Sequence, residues 1–202
     1  MNSRSERGTA LVIVMLTIAL VVALAVSLTV ATMTESGIAT NHRDATATLY
    51  AADGAVEFVL QELSTVPDWK ALLGAAGQSA FVDGEPAGIR VVGAIELDLT
   101  ESTLDVTAMA TAPTGTVQAA SVLHAFGWFR DLVGPAAGPP DVYVAVWLAD
   151  RSKAPKDDQA APGALSVVGQ AYGAQGSRRA VEVIVERTDT SAVRVLAWRE
   201  LL

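Results

Sequence analysis

The stretch 9–34, TALVIVMLTIALVVALAVSLTVATMT, decides how the rest of the chain is read. It carries no charged side chain. At roughly 1.5 Å of rise per residue, a helix of this length exceeds the ~30 Å hydrocarbon core of a bilayer. Arg4 and Arg7 precede it, and Glu35 is the first charge after it. Positive charge on the leading flank predicts an N-terminus in the cytoplasm and the bulk of the chain across the membrane. Three kinds of segment compete for the pattern. A cleaved secretory signal has an apolar region of only about 7–15 residues, so this run is too long, although Ala23, Ala25 and Ala31 supply small residues. An ordinary signal anchor fits the length. So does a short charged leader ending in glycine with an apolar helix directly behind it, as in Ser5-Glu6-Arg7-Gly8-Thr9-Ala10-Leu11-Val12.

Outward from this run, the helical pattern continues where a plain anchor would give way to a linker. Leu49, Ala52, Val56, Val59, Leu60 and Leu63 recur at i, i+3, i+4 spacing, with Asp44, Thr48, Asp53, Glu57 and Gln61 on the other face. Ser64-Thr65 weaken the pattern and Pro67 closes it. One helix from Thr9 to Leu63 is about 80 Å long. Its second half is expected to dock on the globular part through Leu49, Val56, Leu60 and Leu63. Gly37 and Gly54 each cost up to about 1 kcal/mol against alanine, and Gly37 reads as a bend near the membrane surface. Ala19, Ala23, Ser27 and Ala31 fall at i+4 intervals and form a small-residue stripe.

The segment Glu6-Arg7-Gly8-Thr9-Ala10-Leu11-Val12 resembles the start of PilX-type minor pilins and of the large minor pseudopilin of type II secretion. The stretch Tyr50-Ala51-Ala52-Asp53-Gly54-Ala55 resembles the Ala-rich segment that PilX-type proteins carry at this distance from the leader. The likeness covers about the first third of the chain, through Leu63. It implies cleavage by a prepilin peptidase between Gly8 and Thr9, then N-methylation of Thr9. Two positions depart from the pattern of major pilins. Ile13 stands where they carry a glutamate five residues into the mature chain, and Thr9 stands where they begin with Phe or Met. That glutamate is thought to pair with a neighbour's terminal amine during assembly, so its absence suits a minor subunit better than a shaft subunit.

Past Gly74-Ala75-Ala76-Gly77 the period changes to two. Ile89 to Leu97 reads as one strand, Thr103 to Ala112 as a second with Leu104, Val106, Ala108 and Ala110 on one face, and Val117 to Trp128 as a third, with a turn at Pro113 and Gly115. Gly134 to Pro140 reads as a loop and Asp141 to Ala149 as a strand. Asp150 to Gly163 reads as an exposed loop. Ala164 to Tyr172 is ambiguous between helix and strand. Arg179–Arg187 and Ala192–Leu201 read as a final hairpin. The predicted fold class is α+β, a long N-terminal helix packed on an antiparallel sheet, which is also the plan of pilin-like folds. The predicted organisation is a leader at 1–8, a transmembrane or filament-core half at 9–34, an amphipathic half at 35–66 and a β-rich domain at 78–202.

Composition bounds the chemistry. The 202 residues are 51% apolar with a net charge of -8, and the only lysines are Lys70, Lys153 and Lys156. Such a balance argues against binding nucleic acid or anionic lipid surfaces. Cysteine is absent, which removes disulfide and thiolate chemistry. His42 and His124, the two histidines, read as exposed residues. The loop Asp150 to Asp158 clusters oxygen ligands but lacks the spacing of a calcium loop and carries three cations. Trp69, Trp128, Trp147 and Trp198 read as core or partner-contact residues, and Arg178-Arg179 as a solvated hairpin start. No catalytic residue, cofactor, metal site or small-molecule substrate is expected.

These readings converge on a minor pilin-like structural subunit, made as a single-pass precursor in a bacterial inner membrane with its domain on the periplasmic side. Its expected partners are the prepilin peptidase, other minor pilins and the major pilin, and its expected destination is a surface type IV pilus. A membrane-anchored binding module or adhesin, with loops 130–140 and 150–163 as its contact surface, and a type II secretion minor pseudopilin are the alternatives.

Overall fold

The computed structural model describes residues 3–74, 77–92, 95–111, 123–130, 142–151, 163–173, 175–188 and 192–201. The chain falls into two units, Met1–Arg43 and Asp44–Leu202. Helix α1, Ser3–Thr65, contributes to both and stays helical through Gly37 and Gly54. In the first unit α1 is long and apolar enough to cross a membrane.

α1 ends where the sequence offers its backbone other partners. The hydroxyls of Ser64 and Thr65 donate to the carbonyls of Gln61 and Glu62, and Pro67 cannot continue the ladder. Trp69 Nε1 then donates to the Leu63 carbonyl at 3.0 Å, and Arg187 donates to the Val66 carbonyl. The orphaned C-terminal carbonyls of a helix need such donors. The short helix α2, Trp69–Gly74, starts at Asp68, whose Oδ1 accepts from the amides of Lys70 and Ala71.

The second unit is α+β. Strands β1, Ile89–Val92, and β2, Ile95–Asp98, form a small antiparallel pair. Helix α3 is Leu99–Thr111. Strands β3 (His124–Arg130), β4 (Val142–Asp150), β5 (Leu165–Gly173), β6 (Arg178–Arg187) and β7 (Val193–Leu201) form an antiparallel sheet in that order.

Side chains alternate across this sheet and build two cores. On one face Val144, Val146, Leu148, Val167, Val181, Val183 and Val185 meet Ala52, Val56, Val59, Leu60 and Leu63 of α1, with Trp69 of α2. On the other face Tyr143, Ala145, Trp147, Val168 and Tyr172 meet Leu97, Leu99, Val106 and Ala110. β5 is buried along its whole length because both faces are covered, which is why its sequence shows no clean alternation. The ambiguous stretch 164–172 is therefore a central strand.

Three expectations are corrected. Ile89 to Leu97 is two strands rather than one, with Val92 paired to Ile95. The region from Thr103 onward is helix rather than strand. Asp98 Oδ1 accepts the amides of Thr100 and Glu101 at 2.8 and 3.4 Å, an N-cap that starts α3. Leu99, Ser102, Val106 and Ala110 are its buried positions, whereas Leu104 is 68% exposed. The inward face thus follows a period of 3.6, not two. Thr48, placed on the polar face of α1, is 1% exposed. Its hydroxyl donates to the Asp44 carbonyl and shares a 2.6 Å hydrogen bond with Ser177 Oγ, which satisfies it in the interior.

Of the expected third strand, Val117 to Trp128, the part from His124 is β3, which continues to Arg130; the turn at Pro113 and Gly115 lies outside the described residues. The loop at 134–140 lies outside them too, as does all of the 150–163 loop except its ends. The strand expected at Asp141 to Ala149 and the final hairpin are present as β4 and the β6–β7 pair.

Candidate functional site

Gly8 and Thr9 lie within α1, and Thr9 is exposed. Beyond them the apolar half presents its side chains outward. Leu11, Met15, Leu16, Leu20, Leu24, Leu28 and Met33 are each 60–71% exposed. Water is a poor solvent for such a surface: each large aliphatic side chain left exposed forgoes about 1.5–3 kcal/mol of burial. The hydroxyls along this half do not offset that. Thr17, Ser27, Thr29, Thr32 and Thr34 each donate to the carbonyl four residues earlier, at 2.8–3.0 Å. These donors are satisfied within the helix, the condition that an apolar medium imposes on polar groups. Ala19, Ala23, Ser27 and Ala31 are all exposed. This half is thus a long apolar surface, fit for lipid or for other apolar helices.

The docking stripe belongs to the second unit. Val56, Leu60 and Leu63 are 1%, 8% and 0% exposed, and the partly buried Leu49 packs against the same core. Gly169 on β5 sets how closely the helix approaches. A Cβ built there lies 2.5 Å from Val56 Cγ2 and 2.9 Å from the Ala52 carbonyl oxygen. Only a residue without Cβ lets helix and sheet meet at this distance. Nothing in the alternation of the strand marks Gly169; the lone glycine in an apolar run is the available signal. Glu62 ties down the chain beyond α2, accepting Ser79 Oγ at 2.6 Å and the Ala80 amide at 2.8 Å.

The tryptophans divide. Trp69, Trp128 and Trp147 are 6%, 1% and 1% exposed and serve the two cores. Trp198 on β7 is 51% exposed, and its Nε1 donates to Asp53 Oδ1 of α1 at 3.0 Å. His42 and His124 are exposed. Arg178 is half exposed, paired with Asp105 at 2.8 Å and placed over the Tyr172 ring. Arg179 pairs with Glu200 at 3.0 Å.

Two buried polar groupings were not foreseen. Tyr172, 5% exposed, donates to Gln170 Oε1 at 2.6 Å; burial pushes its hydroxyl up to about 12, and Ser102 and Arg178 oppose that shift. Glu182, in the middle of β6, is 1% exposed and meets Ser166, Arg199 and Arg151. The alternation Val181-Glu182-Val183 suggests a solvent-facing carboxylate. It is buried because the sheet is covered on both faces. Among the described residues, no group of three or more His, Cys, Asp or Glu side chains is arranged to hold a metal ion.

No protein-family model, curated protein or solved structure matches the chain.

Proposed function

We propose that the chain is a minor pilin-like structural subunit, anchored in a membrane by the first half of α1 and assembled into a filament or its initiating complex through that same surface. The observation that carries this reading is the outward apolar half of α1, with every large side chain from Leu11 to Met33 more than half exposed. A surface of this size marks a membrane or protein-contact site. The leader pattern ending at Gly8 and the antiparallel domain docked on the Asp44–Thr65 part of α1 support a pilin-like reading over a plain anchor. In this account prepilin peptidase cleaves between Gly8 and Thr9 and methylates Thr9. The N-terminus faces the cytoplasm, as Arg4 and Arg7 favour. Other minor pilins and the major pilin then replace lipid around the apolar half. Ile13, in place of an acid at the fifth mature position, fits a non-repeating position in such a filament.

The test is mass spectrometry of the native N-terminus from membranes and from sheared surface filaments. The expected mature chain starts at methylated Thr9 and occurs in both fractions. An intact leader from Met1 to Gly8, in cells with an active prepilin peptidase, contradicts the reading and leaves an anchored binding module.

A further inference from the structure

The two edges of the large sheet are finished differently. β3 forms one of them, and the segment 79–83 lies along it. The Ser79 and Asp83 amides donate to the carbonyls of Phe126 and Trp128 at 2.7 and 2.8 Å, and the Trp128 amide donates to the Phe81 carbonyl at 3.2 Å. The amides of Ala80 and Phe81 go to Glu62 and to Ser79 Oγ. The Phe81 ring packs edge-on against Phe58 of α1, with centroids 4.2 Å apart. This edge is filled. β7 forms the other edge. It pairs with β6 on its inner side, and among the described residues no strand lies along its outer side. Val195 and Trp198 on β7 are 50% and 51% exposed.

An open edge presents backbone N–H and C=O groups at strand spacing, and another extended backbone is what matches them. A second copy of this chain is a poor match. Antiparallel pairing of β7 with itself sets a two-fold axis perpendicular to the sheet. α1 lies on the face of that sheet through Ala52, Val56 and Leu63, so the axis reverses its direction, and one membrane cannot receive two such anchors. This step rests on the membrane-anchored reading proposed above. Parallel in-register pairing sets Arg194, Arg199 and Glu200 each against its own kind. Head-to-tail pairing needs a second open edge, and the β3 edge is filled.

We propose that β7 accepts a short extended segment of a different protein, apolar and basic in alternation, which adds a strand to the sheet. The segment is short because the register shifts at Leu196, between the Val185–Val195 and Ile184–Ala197 pairs. Such a bulge bends the strand and leaves 197–201 as its straight run. The apolar character follows from Trp198. It pairs with Val183, whose side chain joins the core against α1, so the indole stands on the α1 side of the edge. Asp53 Oδ1 holds its Nε1 at 3.0 Å, which presents an ordered aromatic surface to an incoming side chain. The basic character follows from the acids on that side. Asp53 and the exposed Glu57 lie one turn apart on α1, and a lysine or arginine complements them and the indole face.

The probe is the end-blocked peptide Lys-Val-Lys-Val-Lys-Val, titrated against the full chain in nanodiscs of zwitterionic lipid. Insertion into the nanodisc is scored first, so that a failed anchor is distinguished from failed docking. The peptide is expected to slow hydrogen exchange at β7 amides. Its Glu-Val-Glu-Val-Glu-Val counterpart is expected to bind at least about tenfold more weakly, and a peptide N-methylated at every residue not at all, since it has no N–H to donate. Trp198→Ala is expected to weaken binding about tenfold. Should that variant fail to fold, the exchange pattern of the unmodified chain decides. Exchange at β7 unchanged by the peptide, or equal binding of the N-methylated form, overturns the proposal. So does a dimer of the detergent-solubilised chain that Trp198→Ala breaks, which names a second copy as the occupant.

Discussion

The two halves of α1 are both rich in aliphatic side chains, yet they meet opposite fates. Along 44–65 the apolar positions form a stripe, and Ala52, Val56, Val59 and Leu63 are at most 1% exposed against the sheet. Along 9–34 they occupy the whole circumference and remain more than half exposed. A stripe is completed by one partner surface that the same chain supplies. A helix apolar all round cannot be completed by one sheet face, and its large side chains from Leu11 to Met33 are all exposed. The difference teaches that the first half has the length and composition of a membrane-spanning helix, whereas the second half is completed by the sheet.

Substitution can separate the halves. Leu63→Ala should lower the stability of the 44–202 unit by about 2–5 kcal/mol, since it empties a fully buried site. Leu16→Ala, at a position 65% exposed, should change it by no more than about 0.5 kcal/mol. Chemical denaturation followed by tryptophan fluorescence checks both, and equal losses would break the comparison. Leu20→Arg should leave that unfolding transition in place but oppose membrane insertion by about 2.5–3.5 kcal/mol. Carbonate extraction of membranes reads that loss, and an unchanged membrane fraction would mean that the apolar half is not the anchor.

Tyr172 probes the sheet face away from α1. Its hydroxyl is held up to about 12 in the folded chain, against about 10 when unfolded. The folded state therefore binds the proton more tightly. Its stabilising contribution is complete below pH 10 and is lost as pH rises from about 10 to 12, by roughly 2–3 kcal/mol. Alkaline unfolding curves should show this fall, and Tyr172→Phe should flatten it. A smaller effect is expected from Gly169→Ala. Forcing a methyl group against Val56 and the Ala52 carbonyl should cost about 1–3 kcal/mol. Pairing it with Val56→Ala should recover part of that loss, because Val56 Cγ2 is the nearer obstacle.

Much of the architecture was legible because it rests on period. The helix after Glu35, its end before Pro67, strand β4 and the β6–β7 hairpin all follow from spacing and turn residues. α3 was misread because Leu104, Val106, Ala108 and Ala110 alternate by chance while the buried set is Leu99, Ser102, Val106 and Ala110. Asp98-Leu99-Thr100-Glu101 carried the correct signal, an N-cap acid with a glutamate three residues on. β5 stayed ambiguous because a strand buried on both faces loses its alternation. Burial of Glu182, Arg151 and Thr48 was not legible at all. Each is polar in a pattern that allows an exposed position, and only the covering layers and long-range partners such as Ser177 decide otherwise. For the candidate site, the exposed apolar half of α1 was legible from composition alone, while the close approach at Gly169 required the sheet to be assembled.

The chain contains no cysteine, so a single Ser27→Cys, placed on the exposed face of the apolar half, can carry a benzophenone cross-linker without background. Photolysis of sheared surface filaments tests most directly whether other subunits complete this half of the helix. The account predicts cross-links to other filament subunits in the sheared fraction and cross-links to lipid in the membrane fraction. Recovery of the chain only in membranes, cross-linked to lipid alone while filaments assemble normally, would contradict it.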